Sequence, residues 1–132
     1  MDDLWKREAP PHLLNPRWPD ESPELHLVSG IFWYSAEDHA TAIRIEQKQS
    51  GALIQFRIDG VFQNKCEIDA TLARLLMHRF VLMVPSNNII HIVINDNRYA
   101  LTFDRDSTDQ GERVTIEITR TGIYRDVTFS EF

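Results

Sequence analysis

With 132 residues, 42% of them hydrophobic and 26% charged, the chain has material for one compact domain with a single core. A net charge of −6 argues against a nucleic-acid backbone as partner, which calls for clustered Lys and Arg; it suits a soluble partner or a basic surface without selecting one. The single cysteine, Cys66, has no internal disulfide partner, no apolar run is long enough for a membrane span, and Met1-Asp2-Asp3-Leu4-Trp5-Lys6 lacks the pattern of a secretion signal, so the expected compartment is the cytoplasm.

Residues 1–22 hold four of the six prolines, including Pro10-Pro11, and show no sustained period. Proline removes a backbone donor and fixes φ, so this stretch reads as an extended arm, followed by a folded domain over 23–132. Trp5, Leu13, Leu14 and Trp18 are unusual in a pure linker and suit an arm that tucks against the domain or a partner. Ser22-Pro23-Glu24 then offers a capping hydroxyl, a proline in the first turn and an acid at the positive end of the helix dipole. Leu27, Val28, Ile31, Phe32, Tyr34 and Ala36 keep helical spacing, which predicts a helix from about Pro23 to Asp38.

Alternation then takes over. Ile43 and Ile45 alternate with Arg44 and Glu46, and Ile54, Phe56 and Ile58 alternate with Gln55 and Arg57. Asp59-Gly60 is a two-residue hairpin signal of the type I′ kind, so Val61 onward should run back antiparallel. Asp69 can cap a second helix carrying Leu72, Leu75, Leu76, Arg79, Phe80 and Met83, which Pro85 ends. Ile90, Ile92 and Ile94 form a further strand, Asn95-Asp96-Asn97 turns, and Tyr99, Leu101 and Phe103 return. The acidic, polar run Asp104–Gln110 reads as a loop, Val114, Ile116 and Ile118 as a strand, and Tyr124, Val127 and Phe129 as a last edge strand after Gly122. The expected fold is α+β, a single antiparallel sheet with two helices packed on one face.

No constellation of catalytic groups emerges. His12, His26, His39, His78 and His91 are scattered without ligand spacing, and Cys66 has neither a nucleophile elbow nor a Gly-rich phosphate loop to support it. On a strand, Cys66 reads as a small buried apolar residue. Asp38-His39, near a helix end, reads as a solvated polar pair. Arg57 lies opposite the apolar face of its strand and reads as a sheet-surface residue; Asp59 is explained by its turn. Glu112, after Gly111, is either a solvated loop acid or an acid that fixes the loop through backbone amides. No catalytic residue, cofactor site or metal site is expected.

The order of these pieces resembles a known family. In type II secretion and type IV pilus assembly ATPases, the domain before the motor has a helix leading into A-S-D-I-H-I-E-P and a strand ending R-I-D-G-V. A helix ending R-I-K-V-M, a P-Q-D-G-R-I segment, a V-R-V-S strand and G-E-R-V-V follow. Here Pro23–Val28 begins the corresponding helix, and Ala40-Thr41-Ala42-Ile43-Arg44-Ile45-Glu46-Gln47 follows at the family's distance. Phe56-Arg57-Ile58-Asp59-Gly60-Val61 matches closely, Arg79-Phe80-Val81-Leu82-Met83 is similar to the end of the second helix, and Gly111-Glu112-Arg113-Val114 matches the last piece. The resemblance runs in unbroken order over about residues 23–118 and implies a sheet-and-helix architecture of PAS-like kind.

The departures from the family pattern are informative. Ala42 stands at the aspartate position of A-S-D-I-H and Arg44 at its histidine; Pro85-Ser86-Asn87-Asn88-Ile89-Ile90 replaces P-Q-D-G-R-I, and Thr102 replaces the arginine of V-R-V-S. The segment between Met83 and Pro85 is also shorter. Arginines of the family's domain reach toward nucleotide held by the motor, and Ile89 and Thr102, at their positions, cannot pair with phosphate charge. No Walker A lysine or Walker B acid is present. The resemblance therefore implies a non-catalytic interaction module whose partner is a secretion or pilus ATPase, a component near it, or a second copy of the chain. Arg57, Arg98 and Glu112, with Trp5 and Trp18 of the arm, are the residues expected to line its surface. Two alternatives stand beside it: a small acidic secretion chaperone or adaptor, and a PAS-like sensor, whose ligand pocket the large apolar residues would instead fill.

Overall fold

The structure is a computed structural model that describes residues 23–123. The arm over 1–22, with Trp5 and Trp18, and the edge strand expected at Tyr124, Val127 and Phe129 lie outside the described residues. In chain order the elements are α1 (Pro23–Glu37), β1 (Ala42–Lys48), β2 (Gly51–Ile58), β3 (Val61–Asp69), α2 (Ala70–Met83), β4 (Ile89–Ile94), β5 (Asn97–Thr108) and β6 (Gly111–Ile123).

The local chemistry explains where each element begins and stops. At the end of α1, His39 takes a left-handed φ of 56°, and the Ala40 N–H donates to the Ser35 carbonyl at 2.9 Å. Asp59 (φ 54°) and Gly60 (φ 80°) both occupy the left-handed region that a type I′ turn demands, and Asn95 (φ 50°) and Asp96 (φ 64°) do the same between β4 and β5. The Leu72 N–H donates to the Asp69 carboxylate at 2.8 Å, a helix N-cap. At the other end of α2 the Val84 N–H still reaches the Phe80 carbonyl at 3.0 Å, and Pro85 has no N–H to continue. Gly60→Val puts a β-branched side chain where φ must be positive, at a site with open space around it. Backbone strain alone should therefore cost at least ~1 kcal/mol. An unchanged melting temperature would rule out that turn.

The six strands form one antiparallel sheet in the order β3-β2-β1-β6-β5-β4. Two three-stranded meanders thus meet along β1 and β6, and α2 carries the chain from β3 at one edge to β4 at the other. Ile43 pairs with Phe56 and Ile116, Ile45 with Ile54 and Val114, and Phe103 with Ile116, so their side chains line one face. Leu27, Ile31 and Tyr34 of α1 and Leu76 and Phe80 of α2 complete the same buried cluster, so both helices cover that face. Cys66 on β3 belongs to it as a fully buried, small apolar residue.

Two expectations need correction. Asp104–Gln110 is not a loop: β5 continues to Thr108, β6 starts at Gly111, and only Asp109-Gln110 remain as the turn. Cross-strand ion pairs hold this ribbon, Arg105 with Glu112 at 2.6 Å and Arg113 with Asp106 at 2.9 Å. The hydrogen bond and charge of Asp106 also hold the Arg113 guanidinium above its ordinary pKa. Asp38, in turn, is not merely solvated; it pairs with Lys65 at 3.4 Å. Lys65 is the extra residue of a bulge in β3, between the Ile54–Cys66 and Gln55–Asn64 pairs.

Candidate interaction surface

Strand alternation sends every second side chain of the sheet away from the helices. The pairings order this second face into rows. One row runs Phe62, Arg57, Ala42, Glu117, Thr102, Ile89 across all six strands; the next runs Asn64, Gln55, Arg44, Thr115, Asp104; a third holds Leu53, Glu46, Arg113 and Asp106. No described helix covers this face. Charged, amide and hydroxyl groups dominate its rows, with Phe62, Leu53 and Ile89 among them.

Ala42 occupies the centre and is fully buried although it belongs to the open face. The reason is the residue on either side. Arg57 and Glu117 each pair with Ala42 across the sheet and join above it, Nη2 to Oε1 at 2.7 Å and Nη1 to Oε2 at 3.3 Å. The Arg57 Nε–H also donates to the Thr41 hydroxyl at 2.9 Å. The small alanine side chain leaves room for this two-pronged bridge. In the next row the Arg44 Nε–H donates to Gln55 Oε1 at 2.8 Å, and Gln55 Nε2 donates to Asn64 Oδ1 at 2.8 Å. The Arg44 guanidinium stands 3.9 Å above the Phe62 ring, and that of Arg57 lies 5.8 Å from it. Partly exposed pairs of this kind contribute about 1 kcal/mol each at most, so they order the surface more than they hold the fold.

The sequence-selected residues do not converge on one patch. Arg57 lies centrally on the open face. Arg98 is on the same face by its alternation with Thr102, but three strands away and four residues further along β5. Glu112 lies on the helix side, at the hairpin end of β6, in step with Val114 and Ile116. Its carboxylate binds Arg105 at 2.6 and 2.8 Å rather than backbone amides, while its own N–H donates to Gln47 Oε1 at 2.8 Å. Sequence reasoning missed Phe62, Gln55 and Glu117 as members of the surface. Their signal was the register itself, which needs the strand pairing. Ile89 and Thr102, the two positions expected to have lost arginines, are direct cross-strand partners at the end of the Arg57 row.

Other chemistry is sparse. Among the described residues, one cavity of about 280 Å³ runs along the start of β2 and the end of β3, and another of similar size lies between Phe80, Val84, Asn88 and Phe103. The first is lined by Lys48, Ser50, Glu67 and Asp69, whose carboxylate is engaged as the cap of α2. Among the described residues no group of three or more His, Cys, Asp or Glu side chains is placed to hold a metal, and no helix is long and apolar enough to cross a membrane.

No protein-family model matches the chain. Its similarity is to type II secretion system protein E. The protein of Pseudomonas aeruginosa is 23% identical over 108 residues, that of Pectobacterium carotovorum subsp. carotovorum 28% and that of Dickeya dadantii (strain 3937) 29% over the same length. Each comparison covers 75% of this chain and 22% of the relative, at the relative's N-terminal part. The chain therefore spans less than a quarter of the length of these bacterial relatives, and the similarity read from its motifs extends over most of the described fold. The match does not include the relatives' catalytic domain.

Proposed function

We propose that the chain is a non-catalytic, cytoplasmic interaction module of a type II secretion or type IV pilus apparatus, and that it meets its partner through the open face of the sheet. One observation carries this reading. Ala42, Arg44, Ile89 and Thr102, where the sequence departs from the family's charged and polar pattern, all fall on that face, and three of them share the row of Arg57. The helix-side core keeps its apolar pattern, while the exposed chemistry of the other side has been replaced. Such a surface has changed what it recognises on an unchanged scaffold. Its paired arginines and carboxylates favour a polar, charge-patterned protein surface.

Two outcomes are expected. Arg57→Glu faces Glu117 with a like charge; since Arg57 is partly exposed, the fold should lose only about 1 kcal/mol, while capture of secretion or pilus components from the native host should fall sharply. If Arg57→Glu and Arg44→Glu both recover the same components as the parent chain, the open face is not the binding surface. Second, with Ile89 and Thr102 in place of arginines, titration with a fluorescent ATP analogue should show no saturable binding. A dissociation constant in the low micromolar range would overturn the non-catalytic reading.

A further inference from the structure

The two edges of the sheet differ in kind. β3 is a protected edge: it carries a bulge at Lys65, and Lys65, Glu67, Asn64 and Gln63 make it charged and polar. β4, at the other edge, reads Ile89-Ile90-His91-Ile92-Val93-Ile94 and has no Lys, Arg, Asp, Glu or proline, and no bulge against β5. Among the described residues only β5 pairs with it. An uncharged, β-branched edge strand is a template for adding another strand.

The hydrogen-bond phase fixes which groups are free to pair. The Phe103 N–H donates to the Asn88 carbonyl at 2.8 Å, so in the alternation of an antiparallel ladder Ile90, Ile92 and Ile94 turn their backbone groups toward β5. Ile89, His91 and Val93 turn theirs outward. These three are spaced evenly about His91, so the edge is complementary to itself under a two-fold axis through that residue. We propose that β4 pairs antiparallel with β4 of a second copy, joining the two sheets into one, with His91 opposite His91 of the other copy and Ile89 opposite its Val93. The three outward residues then exchange about six hydrogen bonds. Between them Ile90 meets Ile92 of the other copy on the helix side, where both already pack against the core as partly buried residues. Val93, 48% exposed, is covered on the other face. The choice of a second copy follows from charge and symmetry. In a chain of net charge −6, β4 brings no formal charge to the junction. Because the β3 edge is blocked, the pairing closes at two copies instead of growing into a filament. The inference uses only the strand chemistry and stands apart from the secretion assignment.

The test is the mass of the full chain in solution, by light scattering and sedimentation at tens of micromolar. A dimer is expected. His91→Pro removes an N–H that the chain's own ladder does not use, so the monomer should keep its fold by circular dichroism while the dimer dissociates with a constant raised about 100-fold, as expected for two lost hydrogen bonds whose carbonyl partners stay buried. Register is read separately: His91→Cys chains should cross-link on oxidation, since directly opposed residues lie about 5.5 Å apart, whereas Val93→Cys chains should cross-link only when mixed with Ile89→Cys chains. Native Cys66 is fully buried and should not compete. A monomeric parent chain, a folded His91→Pro chain that dimerises as before, or cross-linking of Val93→Cys alone would each overturn the proposal. A chain ending at Ile123 that dimerises while the full chain does not would overturn it in favour of the C-terminal segment as the occupant of the edge.

Discussion

Replacing Gly51 with alanine should lower stability by about 2–4 kcal/mol, an unusually large effect for the addition of one methyl group. Gly51 opens β2 and pairs with Asp69, the residue that caps α2. A Cβ built on Gly51 would lie 1.8 Å from the Ile68 carbonyl oxygen and 2.9 Å from its carbon. Those atoms are backbone, so no rotamer change relieves the clash; β2 and β3 must part at the point where the chain enters α2. The strain therefore spreads to the N-cap and to Ile68 and Ala52 in the core beneath. The expected result is a fall in melting temperature of roughly 10 °C or more. Gly30→Ala provides the opposite case. Its Cβ would meet nothing closer than the Tyr34 ring at 4.0 Å, and alanine in a helix interior should stabilise by up to about 1 kcal/mol. If Gly51→Ala melts within two degrees of the parent, on the order of the spread of a neutral substitution, the close approach of β2 and β3 is wrong.

The readability of the fold followed the strength of local signals. Asp59-Gly60, Asn95-Asp96 and the Asp69 cap are residues whose local chemistry admits few conformations, and they sit at turns and a helix start. Alternation in Ile43–Glu46 and Ile54–Ile58 marked strands because one face is apolar and the other is not. The run Asp104–Gln110 misled because both of its faces are polar: it projects beyond the core, and the residues that Arg105 and Asp106 meet, Glu112 and Arg113, lie across the hairpin on the next strand. Polarity alone could not distinguish such a ribbon from a loop. The surface was less readable still. Arg57 was visible as an outward residue, but Glu117 is 60 positions away in sequence, and Ala42 stood out only as the residue at the family's aspartate position. Only the register shows that Arg57 and Glu117 close over Ala42, or that Ile89 and Thr102 stand side by side.

Phe80→Ala should be more damaging than any surface change, costing about 3–5 kcal/mol. Phe80 is 1% exposed, on the face of α2 that meets the sheet, and its ring lies 5.6 Å from that of Phe103 at a tilted 59°. Truncation removes the ring-on-ring contact and leaves a space that Leu76 and Val114, both already packed, cannot fill. The loss falls where the structure can least spare it, because α2 is the only segment carrying the chain from the β3 edge to the β4 edge. Once its second half loosens, the meander β4-β5-β6 is held to the rest chiefly by its pairing with β1. Unfolding in urea should then show a midpoint moved far toward low denaturant, and a separate early transition if the two meanders uncouple. Leu82→Ala on the same helix sets the scale. Leu82 is 62% exposed, and its loss should change stability by no more than about 0.5 kcal/mol. Equal effects from the two substitutions would mean that α2 does not present Phe80 to the sheet, and the single core described above would have to be redrawn.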